Sequence, residues 1–234
     1  MTELLHMKDN YLRRFEAEVT EVLPNGIVLN KTAFYPLGGG VNYDKGMIVG
    51  DKKYNVLETK WQDGKVVHVI EDTSNFSVGQ TVHGEIEWGR RYKLMRNHTS
   101  AHLLEAMIFK KTGALVGSGR VDIEKSYLGF TLEKMDKSLI EEAVKEANQL
   151  IEKGAPVKIY FMERKKALKD PEMVKLAGKL PPEVKELRIV EIEGIDRQAC
   201  GGPHLANIEE IGRIEIVKLK NKGKTNRRLY YTVA

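Results

Sequence analysis

Two pairs of potential metal ligands, set far apart in the sequence, constrain the fold of this chain most. His98 and His102 stand four positions apart, a spacing that places two side chains on one face of an α-helix. Cys200, the single cysteine of the chain, precedes His204 by four positions. One thiolate and three neutral imidazoles make an ordinary tetrahedral zinc site. If these four residues bind one ion, the fold must bring the two segments together.

The same four residues also fit an interpretation without metal. Histidines at this spacing on an amphipathic helix are more often packed or solvated than metal-bound, and a cysteine in a glycine turn is often simply buried. Metalloproteases carry a glutamate directly after the first histidine, but Thr99 holds that position here. The residues alone therefore leave both interpretations open, and they argue against peptide hydrolysis by that route.

The segment from Arg13 to Trp88 shows the short alternating pattern of β-strands. Turns separate the apolar runs, and helix-length periodicity is absent. This pattern predicts a small β-barrel, which we assign to a first domain at residues 1–88. The glycine run Gly38–Gly40 suits either a tight barrel corner or the close approach of a nucleic-acid backbone. A phosphate loop does not fit, because neither a Gly-Lys-Ser/Thr ending nor a helix follows.

After Trp88 the pattern changes to helices mixed with strands, which predicts an α+β domain at residues 89–234. A helix is expected over His98–Lys111, and Asp136 is a credible N-cap for a second helix that ends at Gly154. The remaining expected elements are a partly helical segment, Lys165–Leu180, and the strands Val121–Ile123, Tyr127–Leu132, Val157–Met162, Leu187–Ile192, Ile211–Lys220 and Tyr230–Val233.

The composition indicates the class of protein and of partner. The chain has 234 residues, of which 30% are charged, and it carries a net charge of +5 with a pI near 9.0. This charge suggests a polyanionic partner, although a solubilising charge would look the same. A single cysteine cannot form an internal disulfide, and we find no apolar run long enough for a bilayer. We therefore expect a cytoplasmic protein.

Two sequence blocks together carry a family resemblance. The histidine helix with the preceding Met95-Arg96, and the distant segment Cys200-Gly201-Gly202-Pro203-His204, resemble the editing domain of alanyl-tRNA synthetases and its free-standing relatives, the AlaX proteins. The block Ala33–Gly40, followed by Asp44-Lys45-Gly46, is similar to the glycine-rich motif of the longer AlaX type. Both blocks occur in the family's order, and the resemblance spans Arg13 to Ile216.

The resemblance implies a fold, a cofactor and an activity. The fold would be an N-terminal β-barrel followed by a zinc-binding editing domain with helices packed on an antiparallel sheet, with one zinc per chain. The activity would be deacylation of mischarged tRNA(Ala), chiefly Ser-tRNA(Ala) and also Gly-tRNA(Ala), by ester hydrolysis. The alternative is a zinc-stabilised RNA-binding module without turnover. The implied metal ligands are His98, His102, Cys200 and His204.

Other residues are candidates for roles in the site or in RNA binding. Thr99 would hydrogen-bond the serine hydroxyl, or else its own backbone. Asp196 and Gln198 would orient a ligand, or else form an exposed polar loop. The basic residues before His98, and a C-terminal basic cluster from Lys218 to Arg228, would contact phosphates or simply be solvated. The candidate substrate-binding residues are Gly38, Gly39, Gly40, Arg96, Gly201 and Gly202.

Three departures from the family pattern affect the expected substrate preference but not zinc binding. Pro203 stands where the family usually has threonine, and Val41-Asn42 stands where Gln-Pro is usual. The segment Gly117-Ser118-Gly119 lacks a glutamine that is often found near the editing site.

Overall fold

The computed structural model describes residues 2–134, 136–170, 183–223 and 226–234. The chain divides into two compact units between Leu94 and Met95. This division falls inside helix α1 (Trp88–Thr112), whereas the sequence predicts a domain boundary before it.

The first unit is built on a seven-stranded antiparallel sheet with the order β6-β5-β9-β2-β3-β8-β7. Burial alternates along the first half of β2, as the sequence predicts for a strand with one face in the core. The core contains Val19, Ile27, Leu29, Phe34 and Ile48. A 3₁₀ helix, Leu5–Met7, and a short parallel pair, β1 with β4, precede and flank the sheet. The strands are β1 (Glu3–Leu4), β2 (Arg14–Leu23), β3 (Gly26–Leu29), β4 (Lys31–Thr32), β5 (Gly46–Val49), β6 (Lys53–Val56), β7 (Glu58–Gln62), β8 (Lys65–Val69) and β9 (Thr81–Ile86).

The closed N-terminal β-barrel expected from the sequence is not confirmed. The sheet ends at β6 and β7, and no hydrogen-bonded pairing joins these two strands within the described residues. Only Leu57 separates them in the chain. A hairpin needs a turn of at least two residues, so β6 and β7 cannot fold back on one another. The observed fold is an antiparallel sheet with two ends.

The glycine run forms a tight turn in the first unit. Gly39 and Gly40 have φ angles of +56° and +82°, and the amide of Val41 donates to the carbonyl of Gly38 over 2.9 Å. Positive φ at both central residues defines a type I′ turn, which glycine adopts without steric cost. The tight-corner interpretation therefore describes the backbone, and contact with nucleic acid stays a prediction.

A buried ion pair holds the base of this glycine loop. Arg91 and Asp44 are both fully buried, and the Nε of Arg91 lies 3.0 Å from each carboxylate oxygen. The same guanidinium donates to the carbonyls of Asn10 and Ala33 over 2.9 and 2.6 Å. Asp44 also accepts from the amide of Tyr35 over 2.6 Å. Arg91, part of the basic run before His98, is thus an internal structural residue.

The second unit combines helices with two antiparallel sheets, so the α+β class is confirmed. A four-stranded sheet has the order β10-β11-β16-β15, and a three-stranded sheet has the order β12-β13-β14. The carbonyl of Asn97 in α1 accepts from the hydroxyl of Tyr231 in β16 over 2.8 Å, which packs the histidine helix on the four-stranded sheet. The strands are β10 (Val116–Arg120), β11 (Ser126–Thr131), β12 (Val157–Glu163), β13 (Glu186–Ile192), β14 (Asp196–Ala199), β15 (Ile214–Asn221) and β16 (Asn226–Val233).

Helix α2 (Lys137–Lys153) follows its sequence prediction closely. The side chain of Asp136 accepts from the amide of Leu139 over 3.0 Å, which confirms the N-cap. The buried side chains of α2 follow the helical period: Ile140, Ala143, Val144, Ala147 and Ile151. The side-chain amide of Asn148 forms two hydrogen bonds of 2.9 Å with the backbone of Ile214, and these bonds fix α2 on the edge strand β15.

Other boundaries differ from the sequence predictions. Helix α1 begins at Trp88, because the basic run before His98 is itself helical. Gly117-Ser118-Gly119 lies in β10, since paired backbone outweighs the low strand propensity of glycine there. The segment before β15 is a 3₁₀ helix, Ile208–Ile211, with a capping box at Asn207. Helix α3 spans Arg164–Ala167, residues 168–170 are not helical, and the part of the expected partly helical segment from 171 onward lies outside the described residues.

Candidate metal centre

The four predicted ligands converge in the second unit. His98 and His102 lie on α1, and Cys200 and His204 lie in the segment after β14. One ligand atom of each residue lies within 4.8 Å of the others. The Sγ of Cys200 is 3.6 Å from the Nε2 of His98 and 3.4 Å from that of His204. Zinc bonds of normal length at a tetrahedral angle place sulfur and nitrogen about 3.6 Å apart. The cluster therefore has the dimensions of a metal site.

The other ring nitrogen of each histidine faces a protein oxygen. The Nδ1 of His98 lies 3.1 Å from the carbonyl of Pro203, and the Nδ1 of His204 lies 3.1 Å from the hydroxyl of Thr99. The Nδ1 of His102 lies 3.4 Å from a carboxylate oxygen of Asp196, within ion-pair distance but outside good hydrogen-bond geometry. These partners leave all three Nε2 atoms for the centre of the cluster. Metal-binding histidines in proteins are oriented in this way.

A buried polar network lies behind His102. The side-chain amide of Gln198 donates to Asp196 over 3.0 Å and to Glu105 over 3.1 Å. All three side chains are buried, so the alternative of an exposed polar loop is wrong for Asp196 and Gln198. Burial raises the pKa of Glu105 to about 7. Sequence reasoning missed Glu105, although its place three positions after His102 puts both on one helix face.

The charges of the cluster favour a cation. Burial raises the pKa of the Cys200 thiol, but the imidazoles of His98 and His204 outweigh it and bring that pKa well below its ordinary value. Burial, together with the neighbouring imidazoles of His98 and His102, brings the pKa of His204 well below its ordinary value. Burial also lowers the pKa of His102, yet Asp196 and Cys200 raise it to about 10. The thiolate and the carboxylate thus favour positive charge at this position, which a divalent cation would supply.

Comparisons with known proteins agree with this geometry. The family model described as "Threonyl and Alanyl tRNA synthetase second additional domain" matches residues 187–230, and "tRNA synthetases class II (A)" matches residues 3–90. The alanyl-tRNA editing protein AlaX-M of Saccharolobus solfataricus is 44% identical over 236 residues, which cover 100% of this chain and 99% of that protein. The chain belongs to the AlaX-M family of alanyl-tRNA editing proteins.

Two further relatives show how far this similarity extends. AlaX-M of Methanosarcina barkeri is 41% identical over 241 residues, with 100% of this chain and 99% of that protein covered. The alanine–tRNA ligase of Methanococcus vannielii is 38% identical over 235 residues, covering 99% of this chain and 26% of the ligase. Among the residues that the structure describes, no helix is long and apolar enough to cross a membrane.

The segment that carries Cys200 is held by a residue that sequence reasoning missed. Arg188 in β13 is buried, and its Nη1 donates to the carbonyl of Cys200 over 2.6 Å and to that of Gly202 over 2.9 Å. A Cβ built on Gly202 would lie 2.5 Å from the Cε1 of His98, so only glycine fits there. The contact from Pro203 to His98 uses the backbone carbonyl, which proline retains. No pattern in the sequence marks Arg188.

The remaining predicted site residues have mixed placements. Gly201 is exposed next to the cluster. The guanidinium of Arg96 donates to the carbonyls of Ile211, over 2.5 and 2.9 Å, and of Ala234. This placement favours a structural role for Arg96, and its contact with substrate stays a prediction. The turn Gly38–Gly40 belongs to the first unit, whereas the cluster belongs to the second.

Proposed function

We propose that this chain is a trans-editing hydrolase that deacylates mischarged tRNA(Ala), chiefly Ser-tRNA(Ala) and also Gly-tRNA(Ala). One observation carries the proposal: a four-residue metal cluster, with each imidazole oriented by a protein oxygen, lies in a chain that matches alanyl-tRNA editing proteins over its full length. Two independent lines, the geometry of the cluster and the family of the chain, therefore support the proposal.

We further propose that the cluster binds one zinc ion per chain through His98, His102, Cys200 and His204. The donor set supports zinc, because thiolate and imidazole ligands select it over magnesium or calcium, which prefer oxygen. When bound, zinc supplies a Lewis-acid centre beside the substrate's ester or amino group. The orienting bonds of His98 and His204 keep their Nε2 atoms turned to that centre.

The reaction that fits this site is hydrolysis of an aminoacyl ester. Water adds to the ester carbonyl carbon, the bond to the ribose oxygen breaks, and that oxygen takes a proton as the free amino acid leaves. An alanine-sized pocket cannot strongly reject serine, which merely adds a hydroxyl, or glycine, which is smaller, so a second hydrolytic site is needed for fidelity. An ester is also easier to cleave than a peptide, which is consistent with Thr99 in place of a glutamate base.

Thr99 is the proposed selectivity residue, and its surroundings define how to test that role. Its hydroxyl oxygen accepts from the amide of Leu205 over 3.2 Å and lies 3.1 Å from the Nδ1 of His204. If the Nε2 of His204 binds the metal, its Nδ1 carries the proton and donates to Thr99. The Thr99 hydroxyl then keeps its own hydrogen, which we propose is donated to the serine side chain. Orientation of His204 is the competing role.

Thr99→Val separates these two roles. Selection predicts that the variant retains zinc, slows on Ser-tRNA(Ala) and loses most of its preference over Ala-tRNA(Ala), by up to about a hundredfold. Orientation predicts weaker zinc binding with an unchanged ratio of the two kcat/KM values. An unchanged ratio of the two kcat/KM values would therefore show that Thr99 has no role in selection, whether or not zinc binding changes.

Recognition of the tRNA is proposed to involve both units. We assign close backbone approach to the terminal adenosine to Gly201 and Gly202, and help in tRNA binding to Gly38, Gly39 and Gly40. Arg96 remains a proposed substrate contact, although its guanidinium is already bound to backbone carbonyls. Asp196 and Gln198 are proposed to act on the reaction through the orientation of His102.

The decisive experiment incubates purified protein with Ser-tRNA(Ala) and measures the release of free serine. We expect release by the zinc-loaded protein, loss of release after chelation, and both weaker zinc binding and slower release for Cys200→Ala. Metal analysis should give one zinc per chain. RNA binding without serine release would instead support the zinc-stabilised RNA-binding module and overturn the hydrolase.

A further inference from the structure

The outer face of the four-stranded sheet in the second unit is unusually rich in cations. Along β16, Leu229 and Tyr231 are buried toward helix α1, so the alternating Arg228 and Tyr230 lie on the opposite face. Cross-strand pairing then fixes their neighbours on that face. We call this set the cationic sheet face; it comprises Arg120, Tyr127, Lys218, Lys220, Arg228 and Tyr230.

The register arranges these residues in two rows across the sheet. The first row crosses all four strands, with Arg120 opposite Tyr127, Tyr127 opposite Tyr230, and Tyr230 opposite Lys218. In the second row, Lys220 stands opposite Arg228. Residues directly opposite one another in a sheet have their Cβ atoms about 5 Å apart. The side chains therefore form one continuous surface and not a scatter of separate charges.

The tyrosine rings hold the cations in place. The Cζ of Arg228 lies 4.3 Å from the ring centre of Tyr127, and the Nζ of Lys218 lies 4.9 Å from that of Tyr230. The two ring centres are 5.5 Å apart. Cations over aromatic faces are attracted by the ring quadrupole, which reduces the side-chain freedom that a ligand would otherwise have to freeze. The charges are thus partly ordered before any partner arrives.

Little acidic charge neutralises this face. In the part of the chain that the structure describes, Lys218, Lys220 and Arg228 have no carboxylate within ion-pair distance, whereas Arg120 is paired with Asp122 over 3.0 Å. The exposed Glu215 stands opposite Thr232, beyond the end of the two rows. The hydrogen bond from Arg228, together with Lys222 and Lys218, lowers the pKa of Tyr230, as expected in a positive field.

The placement of this face separates it from the metal cluster. Helix α1, which carries His98 and His102, packs on the buried side of the same sheet through Asn97. The cationic sheet face lies on the other side. A ligand that contacts both this face and the cluster must therefore be long enough to extend around the domain.

From this geometry we infer that the cationic sheet face binds the phosphate backbone of the RNA substrate, away from the ester that is hydrolysed. The inference rests on the proposed function for the choice of RNA as the polyanion. Ordered lysine and arginine side chains without acidic partners complement phosphates, and the occupied ring faces favour backbone contact over base stacking. The face thus adds affinity for the tRNA body but no chemistry.

The test compares three full-length variants for binding to unacylated tRNA(Ala) by fluorescence anisotropy at several salt concentrations. The first neutralises the face with Lys218→Gln, Lys220→Gln and Arg228→Gln. The second keeps its charge with Lys218→Arg, Lys220→Arg and Arg228→Lys. The third makes the same change in charge on helix α2, with Lys137→Gln, Lys145→Gln and Lys153→Gln. Thermal melting and zinc content confirm that each variant is folded and loaded.

Loss of three phosphate contacts should make the negative slope of log K against log salt shallower by about 2 to 3. Between 50 and 200 mM salt, the parent's affinity should therefore fall about 20- to 40-fold more than that of the neutralised variant. The charge-preserving variant and the α2 variant should bind tRNA with the parent's affinity and salt slope. For the neutralised variant at low salt, KM for Ser-tRNA(Ala) should be higher than the parent's, with kcat little changed.

Two results would overturn the inference. One is a neutralised variant that binds tRNA with the parent's affinity and salt slope. The other is unchanged tRNA binding together with lost binding of poly-glutamate, which would assign the face to an acidic protein. Both are distinct from failure of the proposed function, in which the parent itself releases no serine.

Discussion

Replacing Gly202 by alanine should weaken zinc binding by about 10- to 100-fold, although Gly202 supplies no ligand atom. The reason is the fit between this backbone and the first ligand. A methyl group at Gly202 would lie 2.5 Å from the Cε1 and 2.9 Å from the Nδ1 of His98. Carbon atoms in favourable contact are about 3.5 to 4.0 Å apart, so one of the two must move by about 1 Å.

Neither the backbone at Gly202 nor the imidazole of His98 can move without losing a hydrogen bond. The imidazole of His98 is fixed by the carbonyl of Pro203 over 3.1 Å, and the carbonyl of Gly202 is held by Arg188 over 2.9 Å. Metal sites tolerate changes in bond length of only about 0.2 Å. A shift of about 1 Å therefore breaks or lengthens one bond to the metal. The tenfold to hundredfold loss in affinity corresponds to about 1.4 to 2.7 kcal/mol.

Competition with a chromophoric chelator at neutral pH measures the zinc Kd of the parent and of Gly202→Ala. Gly117→Ala is the matched control, because its methyl group would meet only Thr131 and Gly129, at 3.8 and 3.9 Å. The control should bind zinc as the parent does. Equal affinity for Gly202→Ala and the parent, in a folded protein, would refute the argument that close backbone approach positions His98.

Three further predictions concern stability and are measured by urea unfolding. Arg188→Gln should lower the free energy of unfolding by about 1 to 3 kcal/mol, since two buried carbonyls lose their donor; no loss would show that water replaces it. Asp44→Asn should cost about 3 to 5 kcal/mol by leaving Arg91 buried without its counter-charge, whereas Glu85→Gln, in an exposed pair, should cost less than about 1 kcal/mol. Burial lowers the pKa of His68 from 6.5 to about 4, so the unfolded state takes up the proton first as the pH falls. The parent should therefore lose up to about 3 kcal/mol between pH 6.5 and 4 relative to His68→Gln, and parallel profiles would contradict this.

Each half of the four-residue cluster could be predicted from local spacing, whereas joining the two halves needed the family resemblance. Helical spacing places His98 and His102 on one face, and Cys200 and His204 stand four positions apart in one short segment. What holds these ligands could not be predicted in the same way. The carbonyl of Pro203 and the guanidinium of Arg188 act through tertiary contacts that leave no periodicity or motif.

The N-terminal sheet illustrates a second limit. Alternation along each strand predicted its strand content, but whether a sheet closes depends on which strands pair. That pairing is a non-local property: β6 and β7 are separated by Leu57 alone, yet they stand at opposite ends of the strand order. Whether a sheet closes into a barrel thus depends on strand pairing, which the periodicity along each strand does not determine.

The basic residues show why composition cannot locate a binding surface. The run before His98 is the densest in positive charge near the cluster, yet Arg91 is buried against Asp44 and Arg96 binds backbone carbonyls. On the cationic sheet face, the three cations that have no acidic partner among the described residues lie on two strands, Lys218 and Lys220 on β15 and Arg228 on β16. In the sequence they appear only as scattered basic residues among the last twenty positions. Only the cross-strand register places them side by side, because a β-sheet joins on one face residues that alternate along each strand. A net charge of +5 therefore suggests a polyanion, but the pairing of β15 with β16 decides where it can bind.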